Sequence, residues 1–124
     1  MENELSQKII GAAIEVHRTF GPGLLESIYE EALCHELLLQ GIQCARQVPV
    51  PVKYKGKVIK APLFLDILVE NLVILEIKAT DMDHPLHHTQ LFTYLRLSKL
   101  KLGLLLNFGN KVMKNGIYRV VNRF

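Results

Sequence analysis

Apolar residues recur at helical spacing through the first forty positions. Leu5, Ile9, Ala13, Val16 and Phe20 lie three or four apart, which predicts a helix over residues 4–19 with one apolar face. Gly21-Pro22-Gly23 stops it. Leu25, Ile28, Ala32, Leu33, Leu37 and Leu38 predict a second helix over 24–40, with Gly41 as its C-terminal cap. The period then shortens. Residues 43–54 read as extended, and Pro49 and Pro51 favour a sheet edge because proline donates no ladder hydrogen bond. Tyr54-Lys55-Gly56-Lys57 reads as a turn, with residues 57–60 continuing a hairpin. Two dense apolar runs, 63–69 and 73–78, read as the central hairpin. Asp83, with Pro85 just after it, opens a helix near 84–99. Residues 102–107 and 116–121 read as two final strands.

Helix, helix, three antiparallel strands, helix, strand, strand is an α/β (α+β) order with a mixed central sheet flanked by helices. A strand that follows the third helix can cross over and lie parallel to an earlier one. The central hairpin has two registers. A three-residue loop, Glu70-Asn71-Leu72, sets Val69 opposite Val73 and Asp66 opposite Glu76, on one face. A two-residue loop would oppose Asp66 with Leu75 and divide the carboxylates between faces. The odd-length loop, or a bulge, is the expectation.

At 124 residues the chain suits one domain, 1–124, with one core. No apolar run is long enough to cross a bilayer and no signal-type start is present, so a cytoplasmic protein away from membranes is expected. Cys34 and Cys44 read as reduced thiols in or near the core. Charge is unevenly spread. Residues 1–52 hold three Lys/Arg against seven Asp/Glu, and residues 53–124 hold twelve against five. A basic second part suits a polyanion such as nucleic acid, although an ordinary solvated surface has the same composition.

The chemistry concentrates in the hairpin. Asp66 interrupts Leu63-Phe64-Leu65 and Ile67-Leu68-Val69, and Glu76-Ile77-Lys78 ends the next apolar strand. Carboxylates are costly to bury in such strands unless they are paired or hold a metal. Two carboxylates and a lysine at adjacent strand ends can bind Mg²⁺ and help activate a water. Strand-end salt bridges are the plainer alternative.

Asp66 followed by Glu76-Ile77-Lys78 resembles the motif of the PD-(D/E)XK nuclease superfamily, with Leu65 where a proline often stands. Gly23-Leu24-Leu25-Glu26-Ser27-Ile28-Tyr29 resembles the signature of the GxxExxY protein family, and Ile9 to His17 with Gly21-Pro22-Gly23 resembles that family's opening. His87-x-x-Gln90-x-x-x-Tyr94 resembles the QxxxY helix of RecB-like nucleases. The resemblance implies a restriction-endonuclease-like core and a metal-dependent nuclease hydrolysing DNA phosphodiester bonds.

It further implies Asp66, Glu76, the Ile77 backbone carbonyl and Glu26 as ligands of Mg²⁺ or Mn²⁺. Lys78 would orient the attacking water and stabilise the transition state, since nearby carboxylates oppose its acting as a base. Gln90, Tyr94, Tyr29 and His87 would contact substrate or support the site. Each has a plainer reading: Glu26 favoured by the helix dipole, Tyr29 and Tyr94 as packing residues. His84, His87 and His88 have the wrong spacing for a closed zinc site, and His88 reads as exposed. The alternative function is a non-cleaving nucleic-acid-binding or accessory module. A chain this small has little to grip a substrate, so a homodimer or a protein partner is a further expectation.

Overall fold

The computed structural model describes residues 1–123, with residues 60–62 described by their backbone alone. Helix α1 spans Glu2–Phe20 and α2 spans Glu26–Leu39. Strands β1 (Cys44–Tyr54), β2 (Lys57–Val69) and β3 (Val73–Lys78) follow, then α3 (Pro85–Ser98), β4 (Leu102–Asn107), a 3₁₀ turn at Met113–Gly116 and β5 (Ile117–Val121). The sheet order is β1-β2-β3-β4-β5. Among the described residues the β3–β4 pair alone is parallel, joined through α3. Residues 57–60 and 63–69, read above as separate pieces, are one long strand.

Alternation along the buried strands divides the core. Ile67, Val69, Val73, Leu75, Ile77, Leu104 and Leu106 face α1 and α2. Ile74 and Leu105, from the same strands, pack with Leu91 and Leu95 of α3. Helix α3 lies close to β4 at Gly103, where an added Cβ would stand 2.8 Å from Leu91 Cδ1. Among the described residues, no helix is long and apolar enough to cross a membrane.

The α2 stripe differs from expectation. Tyr29, Leu33 and Leu37, at i, i+4 and i+8, are fully buried, and Leu25, Ile28 and Leu38 are exposed. Leu25 precedes the helix and cannot share its face. Tyr29 decides the rotation. Its hydroxyl donates to the Gly21 carbonyl (2.5 Å) and accepts from the Leu24 N–H (3.1 Å), and its ring stacks on Phe108 at 4.5 Å. Phe20, at the end of α1, is likewise exposed. Cys34 and Cys44 are free and half-buried, at the edge of the α1/α2-side core.

Candidate active site

The β2–β3 ladder pairs Ile67 with Leu75, Leu68 with Ile74 and Val69 with Val73, as the three-residue loop requires. Glu70 and Asn71 both take left-handed conformations (φ 51° and 56°), and Leu72 N–H donates to the Val69 carbonyl at 2.9 Å. One step beyond Ile67 and Leu75, side chains replace the backbone ladder. Ile77 N–H donates to Asp66 Oδ2 at 2.8 Å, and Asp66 N–H donates to Glu76 Oε2 at 3.1 Å. On its other flank Asp66 lies level with Gln47, between the pairs Arg46–Ile67 and Val48–Leu65. Gln47 is itself left-handed (φ 50°). The sheet therefore opens on both sides of Asp66.

Each carboxylate spends one oxygen on this bracing. Among the described residues, Asp66 Oδ1 and Glu76 Oε1 have no hydrogen-bond partner, and neither side chain has an ion pair. The Ile77 carbonyl leaves β3 on the same side as its N–H, toward Asp66, because both groups of one strand residue point the same way. The group is thus two carboxylate oxygens and one carbonyl, all hard donors. That suits a small octahedral cation that keeps waters and takes substrate oxygens for the rest. Among the described residues, no third His, Cys, Asp or Glu side chain is close enough to complete a three-ligand cluster.

Glu76 is only 6% exposed. Burial, then the charge of Asp66, pushes its carboxyl up to about 8, against the lowering effect of the Asp66 N–H and of Lys78. Burial also raises Asp66, opposed first by the Ile77 N–H, with the charge of Glu30 adding and that of Lys78 subtracting. Two crowded carboxylates without a cation are unfavourable in their charged form, and a divalent ion relieves both causes.

The remaining expected residues fall into two groups. Lys78, His87 and Glu26 line one open cleft of about 440 Å³, with Thr80, Asp83 and His84. Glu26 is the first residue of α2 and exposed, and its charge acts on Asp66 from a distance. Burial, then the charge of Lys78, lowers His87. Tyr94 is half-buried, and burial followed by the charges of Glu76 and Asp66 raises it. Gln90 is exposed on α3, with no side-chain hydrogen bond among the described residues. Tyr29 is not brought to the carboxylates, since its hydroxyl is committed to the turn before α2. His88 is half-buried rather than exposed, paired with Asp83 at 2.8 Å and edge-on to Tyr118.

Sequence reasoning missed Glu30. It is 5% exposed and accepts from Arg46 Nε and Gln47 Nε2, both at 3.1 Å. Its charge raises Asp66 and Glu76 alike. The spacing Glu26-x-x-x-Glu30 sets it one turn beyond Glu26 on the same helical face, a signal visible in the chain. Asn107 was missed as well. Its Oδ1 accepts from Thr80 N–H (3.1 Å) and Gly109 N–H (3.0 Å), fastening the segment after Lys78 to the end of β4. The two segments nearly touch there: a Cβ on Gly109 would lie 2.1 Å from the Thr80 carbonyl oxygen.

Residues 3–120 match the PD-(D/E)XK nuclease superfamily, and the chain belongs to it. The mixed sheet flanked by helices is its restriction-endonuclease-like fold. The crystal structure of SSO0001 is similar, with a TM-score of 0.57 and 22% identity over 79% of this chain. The chain spans 50% of that protein's length, and the likeness concerns fold alone. No curated protein matches the chain.

Proposed function

We propose that this chain is a metal-dependent nuclease of the GxxExxY type, one nuclease-like domain over residues 1–124 that hydrolyses DNA phosphodiester bonds. The observation that carries the reading is the Asp66–Glu76 pair: one half-buried and one buried carboxylate, each with an open oxygen, and no cation paired to either among the described residues.

Asp66, Glu76 and the Ile77 carbonyl would hold Mg²⁺ or Mn²⁺, and Glu26 would approach from the helix side. A cation there would draw charge from a phosphate oxygen and acidify a water. Lys78 lies two residues from Glu76 on the same strand, so its ammonium shares a face with that carboxylate. It would orient the attacking water by hydrogen bonding and meet the negative charge that builds on the phosphoryl oxygens. His87, Gln90 and Tyr94 would steady the phosphate from α3. Water forms the new bond to phosphorus and gives up a proton as the bond to the departing deoxyribose oxygen breaks, and that oxygen takes up a proton from solvent.

One observation favours the alternative, a non-cleaving nucleic-acid-binding or accessory module: the absence of a third side-chain ligand among the described residues. Cleavage of single- and double-stranded DNA with Mg²⁺ or Mn²⁺, beside Glu76→Ala, decides between them. The nuclease reading requires cutting by the native protein that the variant loses. Folded native protein that cuts neither substrate removes it.

A further inference from the structure

The first hairpin outruns the sheet. Pairing of β2 with β3 begins at Ile67, so among the described residues Lys57–Leu65 pairs with β1 alone. From Asp66 to the tip is nine residues, at most about 30 Å at strand rise. The register shifts between Val50 and Val52, where the ribbon leaves the body. The tip closes tightly. Lys55 and Gly56 both have positive φ (48° and 84°), the two-residue geometry that matches strand twist.

The base of the arm is covered, with Val50, Leu63 and Leu65 packed against Leu91 and Leu95 of α3, and its distal part is open. Residues 53–59 are all exposed, including Tyr54 (64%) and Val58 (53%). Lys53, Lys55 and Lys57 project there, with Lys55 Nζ 5.4 Å from the centre of the Tyr54 ring. No Asp or Glu occurs anywhere in residues 37–65, so the first acidic residue of the hairpin is Asp66 at the base of the arm. A two-stranded ribbon is marginally stable alone and gains from a partner along its length.

We infer that the β1–β2 arm is a nucleic-acid grip, with Lys53, Lys55 and Lys57 bound to backbone phosphates and Tyr54 packed against sugar or base. The inference rests on the nuclease reading for its substrate class. Charge complementarity selects a polyanion. A ribbon also fits the major groove of a duplex, about 12 Å wide. The arm leaves β2 directly from Asp66, so a strand held along it passes the carboxylates. The shared chemistry of DNA and RNA is the phosphate backbone, and the assay separates them.

The test is fluorescence anisotropy with labelled duplex DNA, single-stranded DNA and duplex RNA, in EDTA and in Ca²⁺, over a range of salt. The native chain is compared with the triple variant Lys53→Gln, Lys55→Gln, Lys57→Gln and with Lys111→Gln, Lys114→Gln; circular dichroism verifies folding. Each lost phosphate contact lowers the logarithmic salt slope on a duplex by about 0.9, so the triple variant should lose about 2–3. The second variant should keep the native slope. An unchanged slope in the triple variant overturns the inference, as does a native chain that binds none of the three ligands. In the latter case the exposed Tyr54, Val58 and Ile59 belong to a protein contact instead. Cleavage by the same preparations keeps the two ideas apart. Arm-independent cutting sinks the grip alone, and arm-dependent binding without cutting sinks the nuclease alone.

Discussion

Glu76 should destabilise the metal-free protein, and replacing it with glutamine should show by how much. Its carboxyl moves from 4.5 to about 8 in the folded chain. Between those values the folded state holds a proton that the unfolded state has released, so stability falls as pH rises from about 4.5 to about 8. The penalty is absent below that window and complete above it. At pH 7 it amounts to about 3 kcal/mol. Asp66, also raised by burial, contributes with the same sign. Glu76→Gln keeps the shape and an oxygen that can accept from the Asp66 N–H, and removes the titration. In EDTA at pH 7 the variant should be more stable by about 3 kcal/mol, roughly 8–12 °C in Tm for a chain of this size. At pH 5 the two should agree to within about 1 kcal/mol. Urea or thermal unfolding from pH 5 to 8.5 measures both, and added Mg²⁺ should stabilise the native chain more than the variant. A native stability that is flat across this range, or a variant less stable than native at pH 7 without metal, would refute the reasoning.

Tyr29→Phe removes two buried hydrogen bonds at the turn before α2 and should cost about 1–3 kcal/mol. Mn²⁺ affinity by calorimetry should stay within twofold of native, and a larger loss would put Tyr29 in the site. Glu30→Ala strands Arg46 Nε and Gln47 Nε2 in a half-solvated setting, costing about 1 kcal/mol by urea unfolding. If Glu30 positions Asp66 through Gln47, kcat should fall at least tenfold with KM little changed, and Glu30→Gln should restore part of it. Gly109→Ala drives a Cβ into the Thr80 carbonyl and should cost about 2 kcal/mol or more, with native-like stability counting against that contact.

Local pattern carried a large share of this protein. The change from helical to strand period marked α1, α2 and the strands, because each buries a face whose repeat is written in consecutive residues, and Asp83 with Pro85 marked the start of α3. The Glu70-Asn71-Leu72 loop settled which residue of β3 opposes Asp66, since a strand register has only two face-alternatives and only one brings the carboxylates together. Tertiary structure decided what spacing cannot encode. Ile28 and Leu38 were as apolar as Leu33 and Leu37, and the Tyr29 hydroxyl bonds and the Phe108 stack chose which of them α2 buries. Gln47 shows no sign in the chain of a left-handed conformation, yet that backbone opens the sheet beside Asp66. Glu30 reaches the site because α2 packs across β1, and Asn107 because β4 ends level with Lys78, within reach of the Thr80 N–H. The sequence by itself determined the order of elements and the paired carboxylates on them. Packing between distant segments determined the desolvation, the open oxygens and the neighbours that give those carboxylates their chemistry, because burial depends on everything that surrounds a residue and not on its place in the chain.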